Sequence, residues 1–241
     1  MTKTKLLVLA AAAALGSGSA LAQKAGDIQL GAGWLGFYPQ DSSEPLTFTA
    51  PRAAVVPGSG ASVSNANTLG LNATYFITSN WAVEGVIGIP PKFKLYGTGT
   101  LAPIGELGEA RQWSPTILAK YYFLDGEAKL RPYVGLGATY VWYNNVDLTS
   151  SMQTALARNI GAPPALSGTT GKIDSSFAAV FNLGASYQID QHWGIAFSVS
   201  YIPLKTTAKL TTTVAGLPVA ASQASLKLNP IVPYLAVTYK F

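Results

Sequence analysis

Alternation with a period of two runs through most of this chain. Its clearest stretch is 176–189. Phe177, Ala179, Phe181, Leu183, Ala185, Tyr187 and Ile189 share one side, and Ser176, Ala178, Val180, Asn182, Gly184, Ser186 and Gln188 share the other. A strand with one apolar face and one small or polar face has this pattern. Trp193, Ile195, Phe197, Val199 and Tyr201 repeat it, with Gly194, Ala196, Ser198 and Ser200 between them. Near the end Ile231, Leu235, Val237, Tyr239 and Phe241 oppose Ala236, Thr238 and Lys240. Weaker upstream versions place strands near 27–38, 66–78, 81–91, 112–124 and 130–143. With 174–189, 193–204 and 226–241 they make eight. Helical periodicity is weak, and only the Ala-rich stretch 152–158 suggests a short helix.

The connections alternate in length. Three are short, at 78–80, 125–129 and 190–192. Four are long, at 39–65, 92–111, 144–173 and 205–225, and rich in Pro, Gly, Ser, Thr and Ala. A soluble barrel shows charge on its outer face. Here the strand interiors are almost uncharged, and charge gathers in turns and loops. In lipid every backbone polar group must be paired, so such a sheet has to close. The expected fold is all-β: an eight-stranded antiparallel transmembrane β-barrel with short periplasmic turns and long extracellular loops. Two aromatic girdles fit this reading. Tyr75, Trp81, Tyr121, Tyr122, Tyr187 and Trp193 flank the short turns. Trp34, Tyr38, Phe93, Trp113, Tyr140, Trp142 and Tyr201 lie toward the long loops.

Composition sharpens the picture. Charged residues make up 11% of the 241, against roughly 25% in ordinary soluble domains. Residues 1–22 read as a secretory leader. Lys3 and Lys5 precede an apolar run, and Ala20-Leu21-Ala22 is an A-x-A cleavage site. Residues 23–241 form the barrel. Cleavage lowers the formal charge from +5 to +3, which gives no reason to expect nucleic-acid binding. With no Cys and one His, thiolate and His-rich metal sites are excluded, and no cofactor is expected. Ser–His hydrolysis would have to use His192. That residue falls in a periplasmic turn beside Asp190, where turn chemistry suffices, so the protein is read as no enzyme.

Parity also says which side chains face the lumen. Leu35, Phe37, Leu118, Val141, Val232 and Tyr234 point inward toward the middle and the long-loop end. Glu84, Lys120 and Arg131 point inward near the short turns, where three charges could satisfy one another as a structural network. The outer half is then either an apolar pocket for a small ligand or plain side-chain filling, and an eight-stranded interior permits both. Pro90-Pro91 with Lys92 and Lys94 reads as a strand end with interfacial lysines, and contact with lipopolysaccharide phosphates is the other reading.

Several blocks carry a family resemblance. They are Asn67 through Tyr75, Asn80-Trp81-Ala82-Val83-Glu84, Ser114-Pro115-Thr116, Arg131-Pro132-Tyr133-Val134-Gly135-Leu136-Gly137, and Leu228-Asn229-Pro230 through Tyr239-Lys240-Phe241. In order and spacing the chain resembles the OmpW family of small outer-membrane proteins. The resemblance implies a bacterial outer-membrane location and a narrow, largely apolar interior with Val86 near its constriction. It also implies passage of small hydrophobic molecules, with exit sideways through the wall. Implied partners are outer-membrane lipids and lipopolysaccharide. The final strand, ending in Phe241, resembles the signature read by the barrel-assembly machinery. The alternative function is a structural, adhesive or receptor barrel that works through its long loops without transport.

Overall fold

The computed structural model describes residues 23–241, and the leader assigned to 1–22 lies outside them. The eight expected strands form as β1 (Ile28–Phe37), β2 (Ala66–Phe76), β3 (Trp81–Gly88), β4 (Thr116–Tyr122), β5 (Leu130–Leu148), β6 (Ser176–Gln188), β7 (Trp193–Tyr201) and β8 (Ile231–Lys240). They pair antiparallel in the order β4-β3-β2-β1-β8-β7-β6-β5, and β4 with β5 closes the cylinder.

The two faces are inverted relative to a protein folded in water. Leu136, Leu183 and Phe177 on the outside are 59%, 64% and 79% exposed, whereas Arg131, Lys120 and Glu84 inside are 1%, 2% and 5% exposed. A continuous belt of exposed large apolar side chains requires an apolar solvent. Aromatic clusters edge the belt. Trp81–Tyr121 and Trp193–Tyr239 lie at the periplasmic rim, with centroids 5.1 and 5.0 Å apart. Trp113 stacked on Trp142 (5.8 Å) and Tyr140 against Phe177 (4.6 Å) mark the outer rim. Phe93 does not belong to that girdle. It is buried and meets Phe37 edge-on at 5.8 Å.

The long connections are not loops but a second storey of β-structure. β5 outruns β4 and continues a sheet through Glu106–Trp113, Lys92–Gly99 and Ser59–Val63. Facing it, Ser167–Ile173, Lys205–Val214, Leu217–Lys227 and Thr47–Ala50 form a second sheet. Leu46, Phe48, Leu107, Met152, Leu156 and Leu210 pack between them. Alternation is present in these segments. Thr206 and Leu210 are buried, and Lys205 and Lys209 are exposed. The expected helix forms as α1 (Ser150–Asn159), where the Thr149 hydroxyl accepts from the Met152 N–H at 3.3 Å. Proline marks the junction between storeys, because it cannot donate to a ladder. Ser114-Pro115 splits the strand expected at 112–124, and 228–230 splits that expected at 226–241.

Candidate functional site

Alternation on β2, β3 and β4 places Asn72, Thr74, Glu84 and Lys120 on the inner face. Lys120 Nζ lies 2.5 Å from Glu84 Oε1. The Thr74 hydroxyl (2.8 Å) and the Asn72 Nδ2 amide (3.1 Å) both donate to Glu84 Oε2. Tyr234 on β8 donates over the intervening β1 to Asn72 Oδ1 at 2.9 Å. Its ring takes the room left at Gly70, where a Cβ would stand 2.8 Å from Tyr234 Cε2. Lys120 Nζ also sits 4.3 Å from the centre of the Tyr133 ring. Below this layer Phe76, Ala82, Tyr122 and Tyr133 pack together. Arg131 lies lower still. Its Nη2 donates to the backbone carbonyls of Ser79 (2.7 Å) and Leu124 (3.1 Å), and its Nη1 donates to Gln23 Oε1. The structure therefore joins Glu84 to Lys120 but sends Arg131 to the turns. A layer of aromatic rings separates it from the pair.

Above the pair the lumen turns apolar. A cavity of about 50 Å³ is lined by Leu35, Phe37, Val86, Leu118, Val232 and Tyr234, with Glu84 at its floor. Val141 is buried in the same cluster but does not line this space. Asn182 lines one wall, and its buried Oδ1 has no partner. A second cavity, about 40 Å³, follows beyond Phe37, and a third, about 70 Å³, shares Leu95 and Leu226 with the second. Leu46, Leu101 and Met152 then separate the third from a hollow of about 300 Å³ beneath α1. An interrupted column of apolar spaces thus runs from the extracellular tip to the Glu84–Lys120 floor. The upper lining residues Phe93, Leu95 and Leu107 belong to a segment read as a loop, whereas Leu226 opens the strand expected at 226–241. Their signal was alternation with exposed partners such as Lys92 and Lys94. Lys92 is the first residue of the strand Lys92–Gly99, and Lys94 lies within it. They pair with Glu109 (2.6 Å) and Glu106 (2.9 Å) on the outer face of the extension.

The wall beside the lowest cavity is incomplete. The β3–β4 ladder ends at Val86↔Thr116. Across the seam the next bond runs from the Gln112 N–H to the Pro91 carbonyl (3.1 Å), after which pairing resumes at Lys92↔Arg111. Residues 87–90 and 113–115 face each other unpaired, and both edges bond away from the seam. The Ile89 N–H donates to Leu69 (3.0 Å), and the Pro115 carbonyl accepts from the Tyr140 N–H (3.2 Å). Gly88 and Ser114, on opposite sides of the seam, both line the cavity. At the other end of the molecule Asp190 Oδ1 accepts from the N–H groups of His192 and Trp193, each at 2.8 Å, an ordinary turn.

A sequence model of the OmpW family matches residues 24–241. The chain is 31% identical to outer membrane protein W of Vibrio cholerae serotype O1, over 99% of this chain and 100% of that protein. It is 26% identical to the dibenzothiophene metabolism operon protein PahQ of Pseudomonas aeruginosa, over 77% of each. The crystal structure of the outer membrane protein OprG from Pseudomonas aeruginosa superposes with a TM-score of 0.79 at 27% identity, covering 92% of this chain and 99% of that one.

Proposed function

The chain belongs to the OmpW family of outer-membrane barrels, and on that premise we propose that it passes small hydrophobic molecules across the outer leaflet by diffusion. One observation carries the reading. The lowest apolar cavity stops on the Glu84–Lys120 pair and meets the unpaired seam at Gly88 and Ser114. A solute descending the column finds a charged, aromatic floor beneath it and an interrupted wall beside it, so it leaves sideways into lipid. Each buried CH₂ contributes ~0.8 kcal/mol, enough to hold a short alkyl or aromatic molecule without ionic contacts. A concentration gradient supplies the drive. The cavities are small, so passage needs Leu35, Phe37 and Tyr234 to rotate aside. Apolar contacts permit this because they have no fixed direction. A relative named for a dibenzothiophene metabolism operon supports an apolar cargo.

The test is uptake of a hydrophobic fluorescent probe. Val86→Arg should abolish uptake while the barrel still folds, because a guanidinium then stands in the apolar cavity. Leu118→Arg should remove saturable binding of the probe to the refolded protein. Unchanged uptake and binding in both variants overturns the proposal in favour of a filled barrel that works through its extracellular storey.

A further inference from the structure

The wall has a second interruption, on the other side of β5. β5 pairs with β6 up to Val141↔Ser176. Above that, β5 runs beside Ser167–Ile173 without backbone pairing. Upper β5 bonds to Glu106–Trp113, and Ser167–Ile173 bonds to Lys205–Val214. A side chain bridges the two edges instead. Gln153 of α1 donates to the Leu148 carbonyl (3.1 Å) and accepts from the Thr169 N–H (3.3 Å). Lower down Gly171 closes on Val146, where a Cβ would stand 2.9 Å from Val146 Cγ1. Between that contact and the Val141–Ser176 pair lies an open groove of about 560 Å³. It is lined by Tyr140, Trp142, Tyr143, Lys172, Ile173 and Ser175.

Three features suggest what the groove takes. First, Tyr143 and Ile173 line both the groove and the second internal cavity, so their side chains stand between groove and column. Second, the Tyr143 hydroxyl is buried with no hydrogen-bond partner. Such a group is costly unless something reaches it. Third, the rim is cationic. Lys172 stands directly across from Lys209. Asp174 neutralises Lys209 at 2.7 Å, whereas Lys172 has no carboxylate partner among the described residues. The groove sits at the outer aromatic rim, beside Trp142 stacked on Trp113, the level at which acyl chains give way to headgroups.

We propose that this groove is a side portal for a fatty acid, whose carboxylate rests on Lys172 while its chain passes between Tyr143 and Ile173 into the apolar column. The Tyr143 hydroxyl donates to the carboxylate as the head follows the chain. The portal rests on the passage reading above, since it feeds the same column, but it adds an anionic amphiphile to the cargo and a second opening to the wall.

The chain has no cysteine, so Ser175→Cys accepts a single environment-sensitive fluorophore at the groove. The labelled barrel, in phospholipid nanodiscs, is titrated with ionised dodecanoate and with dodecanol. The expected result is a saturable response to both. Lys172→Gln should weaken dodecanoate roughly fivefold and leave dodecanol unchanged, as an exposed ion pair allows. Ile173→Trp, which fills the gap, should remove the response to both. A silent label with Leu118-dependent probe binding intact overturns the portal and leaves the passage reading standing. Loss of both responses overturns both. A dodecanoate response indifferent to Lys172→Gln also overturns the portal.

Discussion

The two halves of the lumen use the same strands and the same inward parity, yet they close the barrel by different physics. The periplasmic half is polar and aromatic. Glu84 receives three partners, Lys120 has a carboxylate and a ring face, and Arg131 reaches two carbonyls. Such contacts are directional, and moving one member strands the others in a low-dielectric interior. The extracellular half is closed by Leu35, Phe37, Leu118 and Val232, with gaps between them. Those contacts can be broken and remade at little cost in direction. One half is therefore a fixed floor and the other a yielding column, and the unpaired β3–β4 seam lies where they meet.

Breaking the floor should give the largest effect. Glu84→Leu leaves the Lys120 ammonium buried and unpaired, at a cost of about 3–5 kcal/mol. Glu84→Leu with Lys120→Met replaces both charges by apolar groups of similar size and should recover most of that loss. Urea unfolding of the refolded barrel measures both. Equal destabilisation in the single and double variants would show that the pair is no closed unit, and the contrast between the halves would fail.

The column should respond differently. Leu118→Ala removes a side chain that lines the lowest cavity and should cost about 2–3 kcal/mol, the low end for such a truncation, because a void already adjoins it. The same change widens the space beside the seam, so probe binding should tighten as stability falls. Floor variants carry no such gain. Lower stability with unchanged or weaker binding would mean that the cavity is mere imperfect filling.

What the sequence made legible follows from the size of the contrast between faces. On β6, Phe181 and Leu183 oppose Asn182 and Gly184, and no other period fits. In the extension, inward residues such as Thr206, Ala208 and Ala220 are small or polar, so the inner face carries little apolar signal, and proline and glycine interrupt the run. Such segments look like loops in the sequence. Parity assigns a face but not the partner a side chain finds on it. It put Glu84, Lys120 and Arg131 inside, yet could not tell that Arg131 turns down to Ser79 and Leu124 while Lys120 reaches Glu84. Val141 likewise lies on the expected inner face, but it does not line the cavity. Pro90, Pro91 and Pro115 are visible in the sequence, but that they oppose one another across a seam depends on the β3–β4 register.

The smallest effect sharpens the comparison through a second ion pair. Lys92–Glu109 in the extension measures 2.6 Å, against 2.5 Å for Lys120–Glu84, so geometry alone would rank them alike. Solvent separates them. The Lys92 and Glu109 side chains are 46% and 27% exposed, against 3% and 6% for Lys120 and Glu84. Water and salt screen the exposed pair. The hydrogen bond from Lys92 holds the Glu109 carboxyl below the usual carboxylate range. Any stability it contributes is therefore complete above the ordinary carboxylate pKa of about 4 and is lost as pH falls through the lowered value. Glu109→Gln should leave the unfolding midpoint at neutral pH nearly unchanged, slightly flatten the acid limb, and matter less as salt rises. A loss comparable to that of Glu84→Leu would mean that burial is not what sets the two halves apart.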